Sequence, residues 1–311
     1  MNCAARLMLI AGLVMILPAL GETKEKKIQV VATVSSLGEI VKQVGGEYVD
    51  VHIIVPPRLN PHFIQPKPSD VLKTKRADLF VYTGLHLELW LGPFVDAVGR
   101  QEVMPGGTRA LDMSAGIHVL DANREVTTRA EGEMYFEGNP HYWLNPNNAP
   151  MLAKTIADKL AELAPEHQQD FERNRQAFVE RLQQKIAQWQ EQVAPFRGKE
   201  LIAYHNEWPY FTEFTGLVMK HFLEPKPGIP PSPRQLQFIE GYIQEQRIPA
   251  IVKAGHEPKE AAQQVAQRTG VSLILLCHTV GELPECSDYF TIFDHNIAAL
   301  IAPLKPEGAH P

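Results

Sequence analysis

Twelve histidines stand among the 311 residues, and four of them, His62, His141, His205 and His278, sit where a chain can present a ligand. Two belong to an echo: the chain spells NPHFIQP at 60–66 and NPHYWLNP at 139–146. Each Pro restricts the backbone ahead of its His, which lowers the ordering that binding requires. His205 and His278 each end a strand-like run, in LIAYH and SLILLCH. Neutral imidazole is a borderline donor that suits zinc, copper, nickel or ferrous iron better than manganese, calcium or magnesium. Four such nitrogens match the tetrahedral preference of zinc. The four lie far apart in the chain, so only tertiary structure can gather them. His256, in VKAGHEP, also follows a strand-like run and competes for a ligand position. His52 falls inside a strand, and His86, His118, His167, His221, His295 and His310 have no comparable placement.

Catalytic signatures are missing from the sequence: there is no His-Glu-x-x-His, Cys-x-x-Cys, Gly-x-Ser-x-Gly or Gly-rich phosphate loop. Glu207, two residues after His205, could serve as general base in a metal-dependent hydrolase. Four protein ligands would close the coordination sphere, however, and a carboxylate at a helix start is favoured by the helix dipole alone.

The elements that must position these side chains alternate. KIQVVATV is strand-like, SSLGEIVKQVGG helical, VDVHIIV a second strand, SDVLKTKRA helical, DLFVYTG a strand and ELWLGPFVDAVG helical. That order predicts a mostly parallel, layered α/β sheet, in which ligands bind beyond the carboxyl ends of the strands. From 146 to 195 strand signal nearly vanishes. Phe171, Phe178, Leu182, Ile186 and Trp189 form the stripe of a long amphipathic helix, with Pro165 separating it from a shorter one. Alternation then resumes with strands KELIAYH, LVMKHFL, PAIVKAG and VSLILLCHTV and the helices between them, ending in a helix from about Ser287.

Composition is that of a globular chain, 44% hydrophobic and 21% charged, and a net charge of −6 disfavours a nucleic-acid partner. The N-terminus has one Arg, an apolar run from Leu7 to about Leu20, then small residues and abrupt charge. That is the anatomy of a secretory signal over 1–21. The run is short for a membrane span, which takes roughly 20 residues. Cys3 precedes the apolar run, so no lipid-modified Cys stands at the expected cleavage site. Export would leave Cys277 and Cys286, an even pair close in sequence, expected to be bridged in an oxidising compartment.

The order and context of these residues resemble the metal-binding solute receptors of bacterial ABC transporters, the family of periplasmic zinc- and manganese-uptake receptors. The likeness runs through VVATVSSLGEIVKQVGG, NPHFIQPKPSDVLKTKRADLFVYTG, NPHYWLNPNNAPMLAKTIADKL, AYHNEWPYFTEFTG and LCHTVGE. It implies two Rossmann-like α/β lobes, 22–165 and 196–311, joined by a backbone helix at 166–195, with a metal site in the interlobe cleft. It implies that His62, His141 and His205 bind the ion, one per chain. The family's fourth ligand, often Asp, falls at His278 here, so the donor set becomes all nitrogen and points to zinc. A monomeric, non-enzymatic periplasmic receptor serving a membrane permease follows from the same resemblance. Two departures stand out: that His, and a short 121–138 segment with acidic residues Glu131, Glu133 and Glu137 but no His. The competing readings are a metal-dependent hydrolase, a manganese or iron receptor, and a surface adhesin of the same family.

Overall fold

The computed structural model describes residues 26–122, 137–224 and 228–305. The expected signal at 1–21, Cys3, Glu131, Glu133 and His310 lie outside the described residues. Two parallel sheets carry the fold, as the alternating pattern predicts.

The first lobe runs β1 (Ile28–Ala32), α1 (Ser35–Gly45), β2 (Val49–Ile53), α2 (Pro68–Arg76), β3 (Leu79–Tyr82), α3 (Leu91–Val98) and β4 (Ala110–Asp112). Its strands are ordered β2-β1-β3-β4, with every pair parallel. All four residues of β3 and all but Gln29 of β1 are buried, the mark of strands covered on both faces. Gly38 lets α1 lie close on the sheet, since a Cβ there would meet the Ile53 side chain at 2.2 Å.

Helices α4 (Ala149–Leu163) and α5 (Gln168–Val193) follow, joined by a short 3-10 turn at Pro165–His167. The second lobe runs β5 (Ile202–Ala203), α6 (Pro209–Thr215), α7 (Pro233–Gln246), β6 (Ala250–Ala254), α8 (Glu260–Thr269), β7 (Ser272–Leu276) and α9 (Tyr289–Leu304). Its order is β5-β6-β7, again parallel. The LVMKHFL run, expected as a full strand, is held by isolated parallel bridges, Val218 to Glu200 just before β5 and Phe222 to Ala203 of β5. A partner strand of two residues offers too short a ladder for more.

At 26 residues, α5 spans about 39 Å at the usual rise of about 1.5 Å per residue. Its stripe behaves as the spacing predicts: Phe171, Phe178, Leu182 and Trp189 are buried, and Ile186 is partly so. Tyr48 Oη donates to Asp170 and Asn174 to the Val44 carbonyl near its start. Near its end, Lys185 and the Trp189 indole donate to Asp294 of α9. The helix is therefore pinned to helical segments of both lobes. One apolar core continues from β1 and β3 through α4 and α5 to β7 and α9, and a smaller one fills the space between β5, β6, α7 and α8.

Cys277, just after β7, is disulfide-bonded to Cys286, just before α9, and both are buried. Asn296 grips the same point, accepting from Cys277 N at 2.7 Å and donating to its carbonyl at 2.8 Å. The loop carrying His278 and Glu282 is thus closed twice. A Cys277→Ser/Cys286→Ser variant is expected to lose about 2–3 kcal/mol of unfolding free energy, as removal of so short a closed loop implies. It should remain folded through Asn296 and bind metal more weakly without losing it. Urea unfolding and metal titration of the two proteins check this; an unchanged midpoint contradicts it.

Candidate metal centre

Each ligand loop begins with chemistry legible in the chain. In the loop after β2, the Asn60 side-chain oxygen accepts from His62 N at 2.9 Å. Before α4, Asn139 does the same for His141 N at 3.0 Å. Both Asn-Pro-His repeats are therefore Asx turns, in which Asn folds back on the residue two ahead while Pro holds φ between them. Pro supplied the sequence-based argument; the Asn in the same motif carries the hydrogen bond and was missed. The Trp90 indole donates to the Pro61 carbonyl at 2.8 Å, setting the first turn on the lobe. The second is set across the cleft: Asn139 Nδ2 donates to the Asn206 carbonyl and Tyr210 Oη to the Asn139 carbonyl.

His62 and His141 from the first lobe meet His205, beyond the end of β5, with one ligand nitrogen from each within 4.8 Å of the others. Ring centroids are 5.3 Å apart for His62–His141, 6.2 Å for His62–His205 and 6.1 Å for His141–His205. All three residues are buried. Asn139 Nδ2 is committed to Asn206, so its Oδ1 faces His141 Nδ1, at 3.0 Å, and Nδ1 donates. Glu224 Oε2 receives His205 Nδ1 at 2.6 Å. These supports hold both rings through Nδ1, the arrangement that orients metal-bound imidazoles. Burial first, then the neighbouring imidazoles of His62 and His205, pushes the His141 pKa well below the usual imidazole range. The ring is held neutral, which is its coordinating form.

The fourth expected ligand, His278, falls in a neighbouring donor group. His278 is gathered with Glu207 and His256 in a second three-donor group, not with the other three histidines. The cause is Glu282, four residues on. Its Oε2 accepts from His278 N at 2.7 Å and faces His278 Nδ1 at 3.0 Å. Its Oε1 accepts from His256 N at 2.9 Å and faces His256 Nδ1 at 3.3 Å. One carboxylate thus draws both rings together, their centroids 4.5 Å apart. Burial would raise the Glu282 pKa, but the imidazoles of His278 and His256 outweigh it and hold the carboxyl well below its usual range. Burial and the charge of His278 bring His256 down to about 4, against the pull of Glu282.

Glu207, read from sequence as a helix-start carboxylate, is buried, with Oε2 4.0 Å from His256 Nε2. Neither Glu224 nor Glu282 was singled out in the sequence; a carboxylate four residues after a strand-end His was the available signal for Glu282. Three other histidines have ordinary surroundings. His52 pairs with Asp70 at 2.8 Å, His167 stacks on Tyr48 and His221 packs edge-on to Tyr242. His295 lies near Cys277 and Cys286, whose sulfurs are bonded to each other and supply no thiolate.

The lobes are latched beside the site. Ser35 and Ser36, at the start of α1, lie 2.8 and 3.0 Å from Thr279 Oγ1, and Ser35 Oγ donates to the Val280 carbonyl at 2.6 Å. The Trp143 indole donates to the His278 carbonyl at 2.7 Å. Among the described residues, no helix is long and apolar enough to cross a membrane.

Comparison with known proteins agrees with this architecture. The family model described as zinc-uptake complex component A, periplasmic, matches residues 30–302. A manganese ABC transporter substrate-binding lipoprotein of Streptococcus anginosus is 25% identical over 284 residues, covering 88% of each chain. A zinc-binding lipoprotein of Streptococcus pneumoniae is 24% identical over 289 residues, 91% of this chain and 57% of that one. The crystal structure of ZnuA superposes with a TM-score of 0.74 at 20% identity, over 89% of this chain and 98% of the other. Two lobes, parallel sheets and a buried histidine cluster between them accord with that match, and the chain belongs to the family of periplasmic component A of zinc-uptake complexes, metal-binding substrate receptors of ABC transporters and not enzymes.

Proposed function

We propose that the receptor's cargo is zinc, taken up outside the cytoplasm and passed to a membrane permease, and that His62, His141 and His205 hold the ion. The observation carrying this reading is the donor set: three buried imidazoles, two of them oriented through Nδ1 by Asn139 and Glu224. Nitrogen donors favour zinc over manganese, which prefers oxygen and stands lowest in the divalent first-row series. Three imidazoles leave one position of a tetrahedral ion for a further donor. The relatives' names include both zinc and manganese, so likeness alone does not choose between them.

Capture requires the latch at Ser35, Ser36 and Thr279 to part, because the three rings are buried in the closed form. The leader-like segment at 1–21 would export the chain to the periplasm, where it acts as a monomer. Competition titration of the metal-free protein is expected to show zinc bound at least about a hundredfold more tightly than manganese, as the ligand preferences imply. Equal affinities would overturn the zinc reading and leave a manganese receptor.

A further inference from the structure

Asn139 and Glu224 orient two of the three clustered histidines, and one further buried carboxylate beside the cleft, Glu282, has no part in that account. We infer that Glu282 is a positioning residue of the cleft site, aiming the His278 ring as the further nitrogen donor for which three imidazoles leave room, and so strengthening the preference for zinc over manganese. This rests on the receptor reading, in which the family's fourth ligand falls at His278.

Donor count is the first ground. Four N–H groups converge on the two oxygens of Glu282. Oε2 lies 2.7 Å from His278 N and 3.0 Å from His278 Nδ1. Oε1 lies 2.9 Å from His256 N and 3.3 Å from His256 Nδ1. An ionised carboxylate offers acceptors only and can receive all four, whereas an amide in its place would turn its own NH2 toward one histidine. With the proton held on Nδ1, a neutral His278 ring carries its lone pair on Nε2 and coordinates through that atom. A carboxylate behind a metal-bound imidazole fixes its orientation and raises its basicity.

The fit around the carboxylate is the second ground. A Cβ on Gly255, the residue before His256, would come within 2.8 Å of Glu282 Cγ and 2.9 Å of its Oε1. The bare backbone there is what lets Glu282 reach from the loop after β7 to the loop after β6. Glu282 is 1% exposed, so its hydrogen bonds act in a low-dielectric surrounding, where they are strongest.

Both first-lobe ligand loops grip the segment from His278 to Glu282, which is the third ground. The Trp143 indole, two residues after His141, donates to the His278 carbonyl at 2.7 Å. Arg58 Nε, four residues before His62, donates to the Glu282 carbonyl at 3.3 Å. The Trp143 ring lies 5.4 Å from His141 and 6.3 Å from His278, centroid to centroid, and the charge of His278 is felt at His141. Closure of the lobes therefore seats the clamp together with the ring it aims. An aimed imidazole is worth more to zinc than to manganese, which prefers oxygen, so losing the aim takes more from zinc.

The test is competition titration of the full chain with zinc and with manganese, for wild type, Glu282→Gln, His278→Ala, His141→Ala and the double variant His278→Ala/Glu282→Gln. Thermal unfolding confirms that each is folded. Glu282→Asp, which keeps the charge but is one methylene too short to span both loops, takes the place of Glu282→Gln should that variant not fold. Glu282→Gln is expected to lower zinc affinity by about 10–100-fold, the usual cost of a lost supporting group. Manganese affinity should stay within about threefold, as its weaker demand for nitrogen implies. In the His278→Ala background the same change should move zinc affinity by less than about twofold, because there is no ring left to aim. An equal loss in both backgrounds would mean a structural role alone and overturns the inference, as does a zinc affinity for Glu282→Gln within threefold of wild type. Zinc affinity unmoved by His278→Ala but lost in His141→Ala overturns it too, and leaves the three-histidine reading standing. Zinc affinity unmoved by His278→Ala and His141→Ala alike overturns the receptor reading itself.

Discussion

Replacing His141 with alanine lowers zinc affinity by more than about a hundredfold, beyond the 10–100-fold that loss of a merely supporting group typically costs. Three features make this the largest binding effect expected. His141 supplies one of only three nitrogens in its group and is 1% exposed, so water cannot readily take its place. Its ring is aimed by Asn139, whose amide is itself fixed by Asn206 across the cleft. Burial and neighbouring imidazoles keep it neutral, so no proton must leave before it coordinates. Asn139→Ala should reproduce part of the loss, within the 10–100-fold range, because the ring remains while its aim is lost. Isothermal titration with a competing chelator reads both variants, and circular dichroism confirms the fold. An affinity for His141→Ala within threefold of wild type would remove His141 from the site.

Trp143→Ala is expected to destabilise the fold by about 3–5 kcal/mol, the range for truncating a fully buried aromatic. Trp143 is 0% exposed and belongs to the core that both lobes share. Its indole donates to the His278 carbonyl at 2.7 Å, and its own carbonyl accepts from Tyr289 Oη at 2.7 Å. The truncation opens a cavity and also leaves the His278 carbonyl without its indole donor. Trp143→Phe separates the two effects: it keeps most of the volume and loses the N–H, so about 1–3 kcal/mol is expected. Urea unfolding measures both. A loss under about 1 kcal/mol for Trp143→Ala would mean that the lobes do not depend on this contact, against the usual cost of such a cavity.

Much of the fold is legible in the residues. The apolar runs of β1 and β3 announce strands covered on both faces, and the 171-178-182-189 stripe announces α5 with its buried face. These signals are local, because side-chain periodicity along one element reflects which face is buried. The LVMKHFL run misleads because its strand character is local, whereas pairing depends on the two-residue β5 beside it. The disulfide was legible from the short spacing of two cysteines in a chain read as exported. The clamp by Asn296 was not, since it reaches back from α9.

The candidate site divides in the same way. The chain by itself determined which residues carry donors and how each is presented: an Asn-Pro-His turn closes on its own backbone, and a His or Glu just past a strand falls at the sheet's carboxyl end. Only the tertiary structure decided how the donors are grouped. Placement and family pattern group His278 with His62, His141 and His205; the structure adds Glu282, whose two oxygens face His278 and His256. Glu282 is local to His278, yet its second oxygen meets His256 only because β6 and β7 are adjacent and parallel. Glu224 likewise reaches His205 only through the bridges that lay 218–222 beside β5. Donor identity is a property of single residues; which donors share an ion depends on distances of a few ångströms between loops remote in sequence, set by strand order and side-chain packing.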